Sequence, residues 1–187
     1  LAGERETPLP WVNVLANPDF GTVISESGSA YSWAENAHEF RLTPWNNDAV
    51  TDSCGEAFYL RDEETGRFWS PTPLPAGSGQ SYTTRHGFGY SVFEHAVDGI
   101  TSELWVYADV RERVKWSILK VRNTSGRSRR LSATGYVEWV LGDLRAKTAP
   151  HVVTSIDPVS GAVVAQNAYN AEFAGRAAFF PVGDASR

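Results

Sequence analysis

Apolar residues recur at every second position through the latter half of the chain, and that one pattern excludes most folds. Between Ile100 and Val110, the residues Leu104, Val106, Ala108 and Val110 fall on alternate positions among Glu103 and Tyr107. Successive side chains of a strand point to opposite faces, so a period of two specifies a half-buried strand rather than a helix. Residues 114–122 follow, with Trp116, Ile118 and Lys120 on one face and Ser117, Leu119 and Val121 on the other. Further on, Leu131, Ala133, Gly135, Val137 and Trp139 alternate with Ser132, Thr134, Tyr136 and Glu138. Asn123-Thr124-Ser125-Gly126 supplies turn chemistry between these runs, since Asn and Gly tolerate positive φ. The pattern predicts a hairpin pairing residues 114–122 with 130–140.

Shorter alternating runs extend this organisation towards both ends. Residues 57–60 and 68–69 flank the polar turn Asp62-Glu63-Glu64-Thr65-Gly66, and residues 151–156 and 162–166 flank Asp157-Pro158-Val159-Ser160-Gly161. Residues 80–85 and 90–97 are further strands, broken by Gly87 and Gly89. No run of ten or more residues carries a capped 3.6 period, so very little helix is expected. Many short strands with frequent turn signals predict an all-β fold, an antiparallel sandwich. Residues 18–53 stand apart: small residues, amides, charges and two tryptophans are mixed with little periodicity, which reads as an irregular segment.

The chain has 187 residues, and 42% apolar content builds a core for one domain of roughly 150 residues or more. A net charge of −5 with no basic run argues against nucleic acid as a partner. One cysteine excludes an internal disulfide framework and a Cys-rich zinc site, and suits a reducing, cytoplasmic setting. No 18-residue apolar stretch is present. The chain lacks methionine, residues 1–10 read as a linker, and residues 11–187 read as the sandwich. With its end just past the strand-like Phe179-Phe180-Pro181, it is expected to be a piece of something longer, its sandwich incomplete at the C-terminal end.

Trp33, Asn36, Arg41, Trp45, Asn47 and Asp48 bring indole faces together with amide, carboxylate and guanidinium groups within sixteen residues. Aromatic faces stack on the C–H face of a pyranose, and such polar groups reach its hydroxyls, so these six are the candidate substrate-binding residues. The alternative is structural: the indoles plug an open end of the sandwich, the polar groups satisfy loop backbone, and Arg41 pairs with Asp48 or Asp52. His86 is open to acid–base work, since histidine as a residue type titrates near neutrality, but it has no carboxylate partner visible in the sequence. His38, His95 and His151 show no metal-ligand spacing. Glu103 and Asp109 share a strand face and read as surface charge, Cys54 reads as inert, and Asn123-Thr124-Ser125 matches a glycosylation sequon that its turn position also explains. No residue is nominated as catalytic and none as a metal ligand.

Several stretches in order resemble the N-terminal domain of glycoside hydrolase family 94. They are Asn17-Pro18-x-Phe20-Gly21, Glu26-Ser27-Gly28-Ser29-x-Tyr31-x-Trp33-x-x-Asn36, Arg41-Leu42-Thr43-Pro44-Trp45-x-Asn47-Asp48 and Gly55-Glu56-x-x-Tyr59-x-Arg61-Asp62. Trp69-Ser70-Pro71-Thr72, Arg85-His86-Gly87-x-Gly89-Tyr90, Asn123-Thr124-Ser125 and residues 136–142 continue the match, which covers roughly residues 11–180. The opening Trp11-Val12-Asn13-Val14-x-Ala16-Asn17 and residues 137–142 look closest to the cyclic β-1,2-glucan synthase branch. The resemblance implies a galactose-mutarotase-like super-β-sandwich followed, in the same polypeptide, by a helical linker and an (α/α)6 barrel. It implies inverting phosphorolysis of a β-glucosidic bond, with inorganic phosphate as co-substrate and the catalytic acid in the barrel. Expected partners are therefore a β-glucan or oligosaccharide, the barrel and a second subunit in a homodimer. Anchoring of the parent in the inner membrane through segments outside this chain stays open. Two rivals also stay open: an aldose 1-epimerase-like enzyme, since the fold is shared, and a free-standing carbohydrate-binding module.

Overall fold

Thirteen strands and one four-residue helix make up the regular structure of the residues described, 7, 9–48 and 50–183 of the computed structural model. Strands β1 (Val12–Asn17), β2 (Phe20–Ser25) and β3 (Ala30–Ala34) form an antiparallel meander. Strands β4 (Glu56–Asp62) and β5 (Phe68–Trp69) pair next, and β6 (Tyr82–Gly87), β7 (Tyr90–Val97), β8 (Ile100–Ala108) and β9 (Lys115–Asn123) form a four-stranded meander. The chain then returns as β10 (Leu131–Val137) to the outer edge of β4. After α1 (Arg145–Thr148), β11 (Val152–Ile156), β12 (Val163–Asn167) and β13 (Ala177–Phe180) make a fourth small sheet. The linker expected over residues 1–10 lies, apart from Thr7, Leu9 and Pro10, outside the described residues.

Alternation decides which face each strand buries. Phe93, Leu104 and Val106 project from one face of β7–β8 and meet Leu15, Ile24 and Ala30 of the first meander. Val97 and Ile100 of the same sheet meet Leu60 and Trp69 of β4 and β5. The β6–β9 sheet is thus one layer, and the two sheets facing it form the other. A third cluster joins Phe20, Ala34, Phe40 and Leu141 to Ala165, Phe173 and Ala178, docking the last sheet. There the Phe40 and Phe173 rings stack at 4.4 Å. Each large side chain so buried contributes about 1.5–3 kcal/mol relative to exposure.

β4 pairs with β5 and β11 with β12 as the turn signals predict, and the strands expected near 80–85 and 90–97 are present as β6 and β7, which also pair with each other. The hairpin expected between residues 114–122 and 130–140 does not form. Strand β9 pairs with β8, Tyr107 opposite Trp116, whereas β10 pairs with β4, Gly135 opposite Phe58. Both runs alternate, but each finds its neighbour in a different layer, and residues 124–130 form an arch between the layers. Arg129 holds that arch: its guanidinium binds the Asp62 carboxylate and donates to the Asp98 carbonyl at 2.8 Å, with Arg129 and Asp62 side chains 5% and 1% exposed. Residues 18–53 are also less irregular than expected. They contain β2 and β3, buried on both faces, and a strand buried on both faces carries no polar alternation to detect.

Candidate functional site

On β3, Ala30, Ser32 and Ala34 turn inward, so Tyr31 and Trp33 stand on the outer face. Trp33 lies opposite Gly21 and Tyr31 opposite Val23. A Cβ at Gly21 would come within 2.2 Å of the Trp33 ring, so the glycine is what lets the indole lie across β2. Trp45 arrives on the segment after Pro44 and packs on Tyr31, ring centroids 4.8 Å apart, while Tyr31 and Trp33 are 5.2 Å apart. Three aromatic rings therefore run in file along one face, and Trp45 is 40% exposed. Val14, opposite Val23, extends this apolar face across β1. Beside Trp45 opens a cleft of about 250 Å³, lined in part by Val12, Val23, Asn47, Asp48 and Asp52.

The polar candidates divide by what they already hold. Asn36 accepts hydrogen bonds from the amides of His38 and Glu39, both at 2.9 Å, and so fixes the turn after β3. Asp48 accepts from the Thr51 hydroxyl at 2.7 Å and from the amides of Val50 and Thr51, which hold its carboxyl below the usual range. It still borders the cleft, as does Asn47, whose φ of 48° is the left-handed conformation that Asn tolerates. Arg41 pairs through its backbone with both Trp33 and Gly142, and its guanidinium donates to the carbonyls of Asp143 at 3.1 Å and Ala37 at 3.4 Å. The structural alternative's pairing of Arg41 with Asp48 or Asp52 does not form: Asp48 accepts from Thr51, and Asp52 accepts from the Ser25 hydroxyl at 2.6 Å. The Arg41 charge is nevertheless felt at Tyr31, where it opposes the upward push of burial on the phenol. Of the six candidates, then, Trp33 and Trp45 meet through Tyr31, Asn47 and Asp48 border the cleft beside them, and Asn36 and Arg41 brace the backbone.

The other candidates have structural surroundings. His86 contacts the Ser91 hydroxyl at 2.9 Å, and burial lowers its pKa against a smaller opposing effect of Glu26, a carboxylate the sequence did not reveal as a neighbour. Burial pushes the Cys54 thiol up to about 11, which removes thiolate reactivity. Glu103 pairs with Lys120 across β8 and β9 at 2.9 Å. Asp109 lies just past β8 rather than on it, accepting from the amides of Arg111 and Glu112. Asn123 closes its own turn, donating to the Arg127 carbonyl and accepting from the Ser125 amide.

One constellation escaped sequence reasoning. Lys115 reaches from β9 between the layers to the Glu56 carboxylate, and donates to the Ser32 hydroxyl at 2.8 Å. Glu56 also accepts from the Ser32 hydroxyl at 2.8 Å and from the Thr43 hydroxyl at 2.7 Å, and the Thr22 hydroxyl lies 3.1 Å from Ser32 Oγ. Burial pulls the Lys115 ammonium down to about 7, and contact with Glu56 works against that shift. The detectable signal was a lysine two residues before Ser117, hence on the inward face of an alternating strand.

The whole chain, residues 1–187, matches the model of a family described as glycosyl hydrolase 94, supersandwich domain. It is 40% identical over 181 residues to a cyclic beta-(1,2)-glucan synthase of Rhizobium meliloti (strain 1021), covering 96% of this chain and 6% of that protein. It is 32% identical over 149 residues to an N,N'-diacetylchitobiose phosphorylase of Vibrio furnissii, covering 78% of this chain and 19% of that one. A solabiose phosphorylase of Paenibacillus borealis is 29% identical over 140 residues, 73% of this chain and 18% of its own length. The chain thus spans less than a fifth of the length of each of these relatives.

Proposed function

The chain belongs to the supersandwich domain family of glycosyl hydrolase 94, and from that premise we propose that it is a non-catalytic domain of a β-glucan phosphorylase or glucan synthase that holds glucan on its outer face. The observation that carries this is the file Trp33–Tyr31–Trp45 on β3, with a cleft bordered by Asn47 and Asp48 at its exposed end. Indole faces suit the C–H faces of pyranose rings, and a few polar groups at the rim suit the hydroxyls. The relatives supply the substrate class: a cyclic β-glucan synthase and disaccharide phosphorylases.

In the phosphorylase reaction a carboxylic acid protonates the leaving oxygen while phosphate attacks the anomeric carbon from the opposite side. We assign that acid to a helical barrel in the same polypeptide, and to this chain the tasks of bracing the barrel, contributing to a homodimer and orienting glucan towards the barrel. The half-buried position of His86 and its contact with Ser91 support leaving it out of the chemistry.

Calorimetric titration of the purified chain with linear β-1,2-gluco-oligosaccharides tests the binding part. Saturable binding is expected, and Trp45→Ala should weaken it several-fold at an unchanged melting temperature. Incubation with the same sugars and inorganic phosphate should release no glucose 1-phosphate. Phosphorolysis, or mutarotation of glucose, by the pure chain would overturn the non-catalytic assignment.

A further inference from the structure

The opposite layer carries a second aromatic surface. Leu104 and Val106 of β8 point into the core, so Trp105 and Tyr107 point out, away from the face that bears Trp33 and Trp45. Trp116 lies beside Tyr107 and Ile118 beside Trp105 in the β8–β9 register. On the other flank the Tyr90 ring sits 5.4 Å from Trp105, and its own partner is Gly87, where a Cβ would come within 2.4 Å of the phenol ring. Tyr90, Trp116 and Ile118 are 39%, 47% and 41% exposed.

These rings lie down on the sheet. Trp105 donates its indole N–H to Glu103 at 2.5 Å, back along its own strand, and Val92, outward-facing and opposite Trp105, is only 1% exposed beneath its neighbours. Trp116 directs its N–H to Asp109 at 3.4 Å. The charges at the centre of this face are matched in pairs, Arg85 with Glu94 at 2.5 Å and Glu103 with Lys120 at 2.9 Å, and Arg122 lies beyond them at the far end of β9. A centre of flat rings with self-compensated charge is unsuited to an ionic partner and suited to a neutral, hydroxyl-rich one, whose C–H faces meet the rings and whose hydroxyls meet the paired polar groups.

We propose that the outer face of β7–β9, centred on Tyr90, Trp105 and Trp116, is a second carbohydrate-binding surface that takes an uncharged glucan chain independently of the Trp45 cleft. It would keep a long polymer on the domain while another stretch of it occupies the first surface, adding avidity without a new contact at the cleft.

The test is affinity electrophoresis of the purified chain in gels containing long linear β-1,2-glucan, run in parallel with cellohexaose titrations. Trp116→Ala and Tyr90→Ala should each weaken retention about three- to tenfold, Trp116→Phe should restore most of it, and Trp45→Ala should leave this share intact. Tyr90→Ala serves as the independent variant should Trp116→Ala melt early. Retention equal to wild type in both alanine variants overturns the proposal, as does concentration-dependent dimerisation that Trp116→Ala abolishes, because the face would then dock protein. Loss of all retention in Trp45→Ala alone would leave the first surface standing and remove the second.

Discussion

Gly21 and Trp33 show how one small residue sets up a surface. The glycine has ordinary strand dihedrals, so alanine suits its backbone, but the added methyl would occupy the space of the Trp33 ring. Gly21→Ala should therefore swing Trp33 off β2, change its fluorescence and weaken glucan binding, although position 21 touches no sugar. An unchanged emission spectrum would contradict this. Arg41 makes the contrasting case. Its composition and spacing suggested a sugar-facing guanidinium, whereas its bonds go to backbone carbonyls that join the turn after β3 to Gly142 and Asp143. Arg41→Ala should cost about 1.5–3 kcal/mol in urea denaturation, the range for hydrogen bonds to charged groups, and leave glucan affinity unchanged. Intact stability with lost affinity would return Arg41 to the site. The sequence could nominate indoles because their role is carried by the side chain. It could not sort Asn36, Arg41 and Asp48, because their bonds to nearby backbone depend on how the loop closes.

Between elements, two buried ion pairs tie the layers. Lys115 links β9 to Glu56 of β4 and Ser32 of β3, so removing either charge strands the other. Glu56→Gln and Lys115→Met should each cost about 3–5 kcal/mol, and the double variant Glu56→Gln/Lys115→Met less than the sum of the singles. Additive losses in denaturation would show that the two side chains do not act as a pair. Asp62 anchors the arch of residues 124–130. Burial would raise its pKa, but the Arg129 guanidinium and the amides of Glu64 and Thr65 outweigh it and hold the carboxyl below its usual 3.8. A depressed carboxylate stabilises above its unfolded value and loses that contribution as pH falls through the lower folded value. The melting-temperature gap between wild type and Asp62→Asn should thus be full near neutral pH and shrink below 3.8. A gap that stays constant into acid would rule out the ionised pair. The same arch explains why alternation located β9 and β10 but not their partners. Period two reports which face is buried and leaves the choice of neighbour to loop geometry and to groups such as Arg129 that are distant in sequence from Asp62.

At the scale of the whole molecule, the all-β class and most strand positions were legible because half-buried strands advertise themselves. Strands β2 and β3 were not, being covered on both sides, and β3 carries two of the three rings of the proposed site, Tyr31 and Trp33. Those rings are what makes the proposed domain a sandwich that holds glucan on an aromatic face and leaves bond cleavage to another part of the polypeptide. Seven tryptophans give seven indole N–H reporters for it. In 1H–15N NMR of the indole-labelled chain titrated with a β-1,2-gluco-oligosaccharide, the Trp33 and Trp45 resonances should shift in a saturable way. Trp69, 1% exposed in the core, should stay still. Silence at both Trp33 and Trp45 under saturating sugar would contradict the central claim.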